Sequence, residues 1–174
     1  LSVDIAESPV KVGALLFYVD GRLVQQTPVV SEMKVDTRKL PDGYHELRVV
    51  AVANNLVQTT GRVVLPVVVD NSGRSIELQI EQTEYRDTDN ITVVAKATAG
   101  ESIELRHNGR TLMKKAGRDV EFSVAAELLG RGPVQIQGFA IANDSSEVAS
   151  PPIDLIIQGD LAAAMRNTEA PKKK

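Results

Sequence analysis

The side chains that could carry out chemistry are few. The chain contains two histidines, His45 and His107, and no cysteine. The histidines lie far apart and in no HxH or HxxxH spacing, so a histidine metal site lacks ligands. The sequence has no Gly-x-Ser-x-Gly nucleophile motif and no phosphate-binding glycine loop. These observations predict that the protein is not an enzyme and has no catalytic residue and no organic cofactor.

Both histidines have structural interpretations. His45 follows a Pro-Asp-Gly turn, where we expect its ring to hydrogen-bond nearby backbone. His107 comes directly before an Asn-Gly turn, where we expect it to face solvent. We therefore assign neither histidine a role as a general base.

Calcium is the one metal for which the sequence offers ligands. Asp87, Asp89 and Asn90 place two carboxylates and an amide in one short segment. Calcium takes six to eight oxygen ligands, and this segment supplies only part of such a set. The alternative interpretation is a turn that leads into a strand starting at Ile91. Both interpretations stay open on the sequence alone.

A glycan-binding site would need exposed aromatic platforms, because sugar rings stack on aromatic faces. The chain has no tryptophan, and its tyrosines are Tyr18, Tyr44 and Tyr85. No two of them are close in sequence. The alternative is that all three are ordinary half-buried residues, and their placement in the structure discriminates the two.

Composition narrows the partner classes. The formal net charge is -3, whereas a nucleic-acid-binding protein usually carries a basic face. No apolar stretch approaches the roughly 20 residues needed to span a bilayer. We expect neither a nucleic-acid partner nor membrane insertion.

The elements around these residues are strands, and they repeat. Apolar residues alternate with a period of two between Gly, Asn, Asp and Pro clusters. Tight hairpin turns are predicted at Asp20-Gly21 and again at Asn108-Gly109. The segment that starts at Leu40 recurs from Leu129, at an offset of 89 residues. A repeat of this length is the size of one β-sandwich module.

The repeat and a polar break at 70–73 define the domain organisation. We predict one β-sandwich domain over residues 1–71 and a second over 72–159. Residues 160–174 are expected to form a flexible tail that ends in three lysines.

The first module resembles the bacterial immunoglobulin-like or fibronectin III-like repeats of secreted and cell-surface proteins. The resemblance is carried by the segments 17–21 (FYVDG), 35–37 (VDT) and 40–47 (LPDGYHEL). It implies an all-β fold of two tandem immunoglobulin-like β-sandwich domains. It also implies an extracytoplasmic location.

One surface suggests a contact. In the strand from His45, the residues Leu47, Val49 and Ala51 are predicted to face the core, since positions two apart share a face. The opposite face turns apolar at Val50 and Val52, and in the second module at Phe139 and Ile141. Exposed apolar patches often mark contacts. The alternatives are a β-bulge near Gly138 or a loop that covers the patch.

The function expected from these observations is structural. The pair of modules would act as a spacer or accessory module of a larger extracytoplasmic protein, in contact with other domains of the polypeptide or with a protein partner. The alternatives are a glycan- or protein-binding adhesion module, and the C-terminal accessory region of a secreted hydrolase.

Overall fold

The computed structural model of the protein describes residues 11–28 and 34–159. Strands dominate these residues, and helical structure is limited to two single-turn 3-10 helices. The chain divides into two compact units between Ser72 and Gly73. None of the described residues belongs to a helix long and apolar enough to cross a bilayer. The all-β class predicted from the sequence is confirmed, while the predicted tail at 160–174 lies outside the described residues.

The described strands of the first unit form one antiparallel sheet in the order β2-β1-β3-β4. A 3-10 helix at Thr37–Lys39 precedes β3. The strand bounds are β1 Val12–Val19, β2 Arg22–Thr27, β3 Gly43–Ala53 and β4 Thr60–Val69.

The second unit is a sandwich of two sheets. One sheet has the order β10-β7-β5, and the other has the order β9-β8-β11-β13-β6, with β12 also paired to β11. The pairing of β13 with β6 is parallel, whereas the other pairings are antiparallel. A second 3-10 helix spans Ala126–Leu129. The strand bounds are β5 Ile76–Ile80, β6 Glu84–Arg86, β7 Asn90–Ala97, β8 Ser102–His107, β9 Arg110–Ala116, β10 Asp119–Ala125, β11 Gly132–Ile141, β12 Glu147–Ala149 and β13 Ile153–Gln158.

Both predicted hairpin turns are present. Asp20 and Gly21 have φ angles of 50° and 77°, and Asn108 and Gly109 have 49° and 74°. Two successive left-handed residues match the twist of the flanking strands, and Asp, Asn and Gly tolerate that conformation best. Local turn chemistry thus fixes the β1–β2 and β8–β9 hairpins.

Alternate residues of β1 and β3 face the core, as the period of two in the sequence predicts. Leu15, Phe17 and Val19 of β1 are buried together with Val49 of β3. Leu47 and Ala51 pack against this cluster. The second unit has its own, larger core, which includes the fully buried Phe122.

Gly138 is a packing site and not a bulge. The pairing of β11 with β8 runs without a register shift from Ile136 to Ile141, so the alternative of a bulge at this glycine is wrong. A Cβ at position 138 would lie 2.7 Å from Cδ2 of Leu78 and 3.2 Å from Cδ1 of Ile76. The glycine leaves room for side chains of the opposite sheet.

Replacing Gly138 with alanine should therefore overpack the second unit. We expect G138A to lower the free energy of unfolding by about 1–3 kcal/mol, the usual cost of forcing extra volume into a packed core. Adding Leu78→Ala should make the cost of G138A smaller than in the parent chain. The control is Gly61→Ala, because nothing lies within 4 Å of that Cβ. Equal effects of G138A and G61A in urea unfolding would contradict the packing argument.

Candidate functional site

Phe139 is covered on its outer side by an arginine. The Arg106 guanidinium carbon lies 4.0 Å from the centroid of the Phe139 ring, a cation–π distance. Phe139 is half-buried and pairs across the sheet with Glu104 and Ala149. A side chain of its own unit thus covers part of the patch predicted at Phe139.

Carboxylates hold Arg106 in this position. Its guanidinium donates to Glu104 Oε2 at 2.7 and 3.0 Å and to the two Glu147 oxygens at 2.6 and 2.9 Å. Lys114 and Thr111 also donate to Glu104. The hydrogen bonds from Arg106 hold the pKa of Glu104 below its ordinary value, and those to Glu147, with smaller support from Glu104, raise the pKa of Arg106. We call Arg106, Glu104 and Glu147 the clamp, because the two carboxylates hold the Arg106 guanidinium against the Phe139 ring.

The clamp predicts a pH-dependent contribution to stability. Because the pKa of Glu104 is lower in the folded chain, its contribution is complete above the ordinary value of 4.5 and disappears as the pH falls through the lowered value. At pH 7 we expect Glu104→Gln to cost about 1–2 kcal/mol, since hydrogen bonds to charged groups are stronger than neutral ones. The cost should shrink in acid.

Urea unfolding at several pH values checks this expectation. The control is Glu121→Gln, because Glu121 is exposed on β10. A cost for E104Q that stays constant from pH 7 into acid would contradict the role of the carboxylate.

Val50 and Val52 lie on the outer face of the first unit and are half-buried. Val50 pairs with Leu16 on one side and with Arg62 on the other. Ile141 in the second unit is likewise half-buried and pairs with Ser102 and Glu147. A contact made through Val50, Val52, Phe139 and Ile141 stays a prediction.

Three further apolar residues share the outer face of the first unit. Leu23, Val64 and Val68 are 46%, 42% and 66% exposed. They pair with Tyr18, Arg48 and Tyr44, so they lie on the face that carries Val50. They were not predicted from the sequence, although the run of valines on both sides of Pro66 indicates a strand that is apolar on both faces.

The β3–β4 hairpin presents two apolar residues at its tip. Leu56 is fully exposed and Val57 is 83% exposed. Asn55 ties the loop together: its Nδ2 donates to Thr59 Oγ1 at 2.7 Å, and its Oδ1 accepts from Thr59 N at 3.2 Å. The tip is therefore held by its own side chains and was not identified from the sequence.

His45 is a corner residue, as predicted. Its Nε2 lies 2.8 Å from the Pro41 carbonyl oxygen, and its Nδ1 lies 2.7 Å from Asp20 Oδ2. The other Asp20 oxygen accepts from Glu46 N at 2.9 Å. The ring is 5% exposed and links two turns. Its contacts are structural.

Asp42, next to that corner, was not predicted from the sequence to make structural contacts. It is 2% exposed, and its carboxylate accepts hydrogen bonds from Asn71 N at 2.6 Å and from the backbone and hydroxyl of Ser72. Asn71 in turn donates to the carbonyls of Thr37 and Leu40. These bonds tie the end of the first unit to the turn before β3.

His107 is half-buried, so its ring is only partly exposed to solvent. Its Nδ1 donates to the Gln135 carbonyl at 2.8 Å, and its Nε2 is 3.0 Å from Asn108 Nδ2. The neighbouring strand β11 supplies that carbonyl, which the sequence alone did not indicate.

The calcium candidates already have protein partners. Asp87 accepts from Arg131 at 2.6 and 2.9 Å, and Asp89 Oδ2 accepts from Arg86 N at 2.7 Å. Strand β7 starts directly at Asn90. Within 11–28 and 34–159, no three acidic or histidine side chains group closely enough to hold a metal ion. Calcium binding by Asp87, Asp89 and Asn90 stays a prediction.

The tyrosines do not form one platform. Tyr85 is only 6% exposed and belongs to the core of the second unit. Tyr18 and Tyr44 are half-buried in the first unit, and Arg48 lies 5.2 Å from the Tyr18 ring centroid. Tyr85 therefore has no accessible face on which a sugar ring could stack.

The strand order of the second unit defines its fold class. A three-stranded sheet faces a sheet that ends in a parallel pair of β6 and β13, which is an immunoglobulin-like β-sandwich arrangement. The expected likeness to immunoglobulin-like and fibronectin III-like repeats is confirmed as a matter of fold.

Comparison with known proteins adds no closer assignment. No protein-family model and no curated protein sequence matches the chain. A fibronectin(III)-like module structure of Clostridium thermocellum CbhA is 11% identical, with a TM-score of 0.43, over 48% of this chain and 96% of that one. A Ca²⁺-stabilized adhesin of an Antarctic bacterium is 12% identical, with a TM-score of 0.36, over 86% and 41%. The D00-D0 domain of intimin is 11% identical, with a TM-score of 0.33, over 87% and 89%.

Proposed function

We propose that the chain is a mechanical spacer, a non-catalytic part of a larger extracytoplasmic protein that holds other domains of the same polypeptide in position. The observation that carries the proposal is the parallel pairing of β6, near the start of the second unit, with β13 at its end. The resemblance to repeats of secreted and cell-surface proteins supports the location.

Parallel terminal strands resist a pull along the chain. A force applied at the two ends of the second unit draws β6 and β13 in opposite directions along their own axes. The backbone bonds Ile156 N to Thr83 O (2.8 Å) and Asp87 N to Gln158 O (2.9 Å) are then loaded together. Bonds sheared at once must break together, whereas bonds peeled from one end break one by one.

The connection between the units also suits this role. Ser72 is bonded to Asp42 within the first unit. The Gly73 carbonyl accepts from Thr98 Oγ1 at 3.0 Å within the second. Ser72 and Gly73 are thus each hydrogen-bonded within their own unit. A force applied along the chain therefore reaches the folded part of each unit directly.

A non-catalytic role is supported by the hydrogen bonds that the candidate ionisable side chains make within the protein. His45, His107, Asp87 and Asp89 are the ionisable residues that the sequence singled out, and each is bound to groups of its own unit. A general base must be free to reach a substrate proton. Their contacts suit maintenance of the fold.

Single-molecule pulling tests the spacer proposal. Ile156→Pro removes the N–H that bonds to Thr83 O, while Ile156→Ala keeps it and removes a side chain that is 45% exposed. On the β11 side Ile156 is paired with Pro133, which has no N–H. We therefore expect the substitution to affect the bond to Thr83 and not the pairing of β13 with β11. We expect I156P to lower the unfolding force of the second unit relative to I156A. Equal forces for both variants would contradict shear loading of this pair.

Protein or glycan adhesion is the second candidate, favoured by the exposed hairpin tip of Leu56 and Val57. A glycan array and immobilised candidate surfaces would be probed with the parent chain and with Leu56→Ser/Val57→Ser. Binding that is lost in this variant and kept in Ile156→Ser would support adhesion over a purely mechanical role. Absence of binding by the parent chain would contradict it.

A further inference from the structure

The outer face of the first unit carries exposed apolar side chains across four strands. Leu23 of β2 pairs with Tyr18 of β1. Arg48 of β3 pairs with Tyr18 on one side and with Val64 of β4 on the other. Neighbours in such a row share one face of the sheet, so the row crosses all four strands. Leu23 and Val64 at its two ends are exposed, as is Val68 further along β4, and an apolar surface of this extent indicates a contact.

The corresponding face of the second unit is more polar. The pairing of Tyr18 with Arg48 recurs as the pairing of Arg106 with Gln137, which lie 88 and 89 residues later. The second unit thus forms the same strands with polar side chains outside, so the fold itself does not require an apolar outer face. In this register three apolar residues of the first unit correspond to three polar ones of the second, namely Leu16 to Glu104, Leu23 to Thr111 and Pro66 to Asp154.

The outer face of the first unit also carries an incomplete ion pair. Arg48 Nε lies 3.6 Å from Glu46 Oε1, which is beyond hydrogen-bond distance. Among the residues that the structure describes, no acceptor makes a hydrogen bond with Arg48 Nε. Both side chains keep part of their surface open, 31% for Arg48 and 39% for Glu46. A carboxylate and a guanidinium are therefore both available for opposite charges on a partner.

A second copy of the same chain supplies those opposite charges. Two outer faces that pack with their strands antiparallel are related by a two-fold axis that lies between the sheets and passes over β3 between positions 46 and 48. Glu46 of each copy then lies opposite Arg48 of the other. The same axis places Val64 of each copy opposite Pro66 of the other, because β4 is paired with β3 along its whole length. The face is thus complementary to itself in both charge and polarity.

The area of this face suffices for a dimer. Four strands spaced about 4.8 Å apart and roughly 27 Å long, the length of the 8-residue β1, present about 500 Å² per copy. Specific interfaces bury at least about 1,000 Å² in total, counting both partners. Two outer faces reach that limit, so we expect a dimer that forms at micromolar concentrations.

We propose that the outer face of the first unit is a self-association surface on which a second copy of the chain docks antiparallel. Reciprocal ion pairs between Glu46 and Arg48 of the two copies set the register. The apolar side chains around them are removed from water, which stabilises the dimer. The proposal goes beyond the spacer role, because it joins two chains and does not depend on how either chain transmits tension.

Sedimentation equilibrium of the full chain gives the first test. We expect a reversible dimer, and we expect Val64→Ser to weaken it about tenfold or more. The control is Ile156→Ser in the second unit, since Ile156 is 45% exposed and Val64 is 42% exposed. A parent chain that stays monomeric up to about 1 mM, or equal dimerisation of V64S and I156S, would overturn the proposal.

A pair of charge reversals tests the reciprocal ion pairs. We expect Glu46→Arg and Arg48→Glu each to abolish the dimer, because like charges then meet across the two-fold axis. An equimolar mixture of E46R and R48E should dimerise again, since every contact between positions 46 and 48 in the mixed dimer joins opposite charges. Such a mixed dimer also shows that both variants are folded.

The control mixture combines Lys96→Glu with Asp119→Arg, which reverse the same kinds of charge at an exposed ion pair of the second unit. We expect both of these variants to dimerise like the parent chain, alone and mixed. A mixture of E46R and R48E that stays monomeric would overturn the two-fold arrangement. Dimerisation of either E46R or R48E alone to the extent of the parent chain would do the same.

Discussion

Phe122→Ala is expected to lower the free energy of unfolding of the second unit by about 3–5 kcal/mol, the usual cost of removing a buried phenylalanine ring. Phe122 is fully buried in β10 and belongs to the core between the two sheets. The cost has two parts, the lost transfer of the ring out of water and the cavity that remains. The ammonium nitrogen of Lys115, which is an exposed residue, lies 5.8 Å from the centroid of the Phe122 ring.

Urea unfolding followed by NMR signals of β7 and β11 measures this loss. The control is Ser123→Ala, since Ser123 is the next residue of β10 and is exposed. F122A and S123A costs that differ by less than 1 kcal/mol would mean that Phe122 does not support the core in the way its burial indicates.

Asp42→Ala has the second largest expected effect, about 2–3 kcal/mol on the first unit. The carboxylate is buried and accepts from two backbone amides and one hydroxyl. Removing the carboxylate loses hydrogen bonds to a charged acceptor, and each of these contributes more than a neutral hydrogen bond. Asp42→Asn keeps one oxygen acceptor and should cost less.

Exchange of the Asn71 and Ser72 amides gives the specific readout. We expect it to accelerate in D42A and to change little in Asp119→Ala, whose side chain is 72% exposed. Slow exchange of both amides in D42A would show that Asp42 does not hold the end of the first unit.

Local chemistry made much of the fold predictable. Asp20-Gly21 and Asn108-Gly109 adopt the left-handed conformations that their residue types favour, so both hairpins followed from the sequence. The period of two placed Val49 in the core. At Gly138 the same reasoning left open a bulge, because the sequence does not show that Leu78 of the other sheet needs the space.

The contacts that shape the candidate site depend on distant parts of the chain. Asp42 is bound to Asn71 and Ser72 across 29 and 30 positions, and Arg106 is bound to Glu147 across 41. Neither pair has a spacing rule, since the strands that bring them together are set by the whole sheet.

Hydrogen exchange by mass spectrometry on F122A tests the central claim, that the chain is two units with separate hydrophobic cores. In moderate urea we expect β7 and β11 to lose protection while β1 and β3 keep theirs, because Phe122 supports only the second core. Loss of protection in all four strands at the same urea concentration would contradict two separate cores.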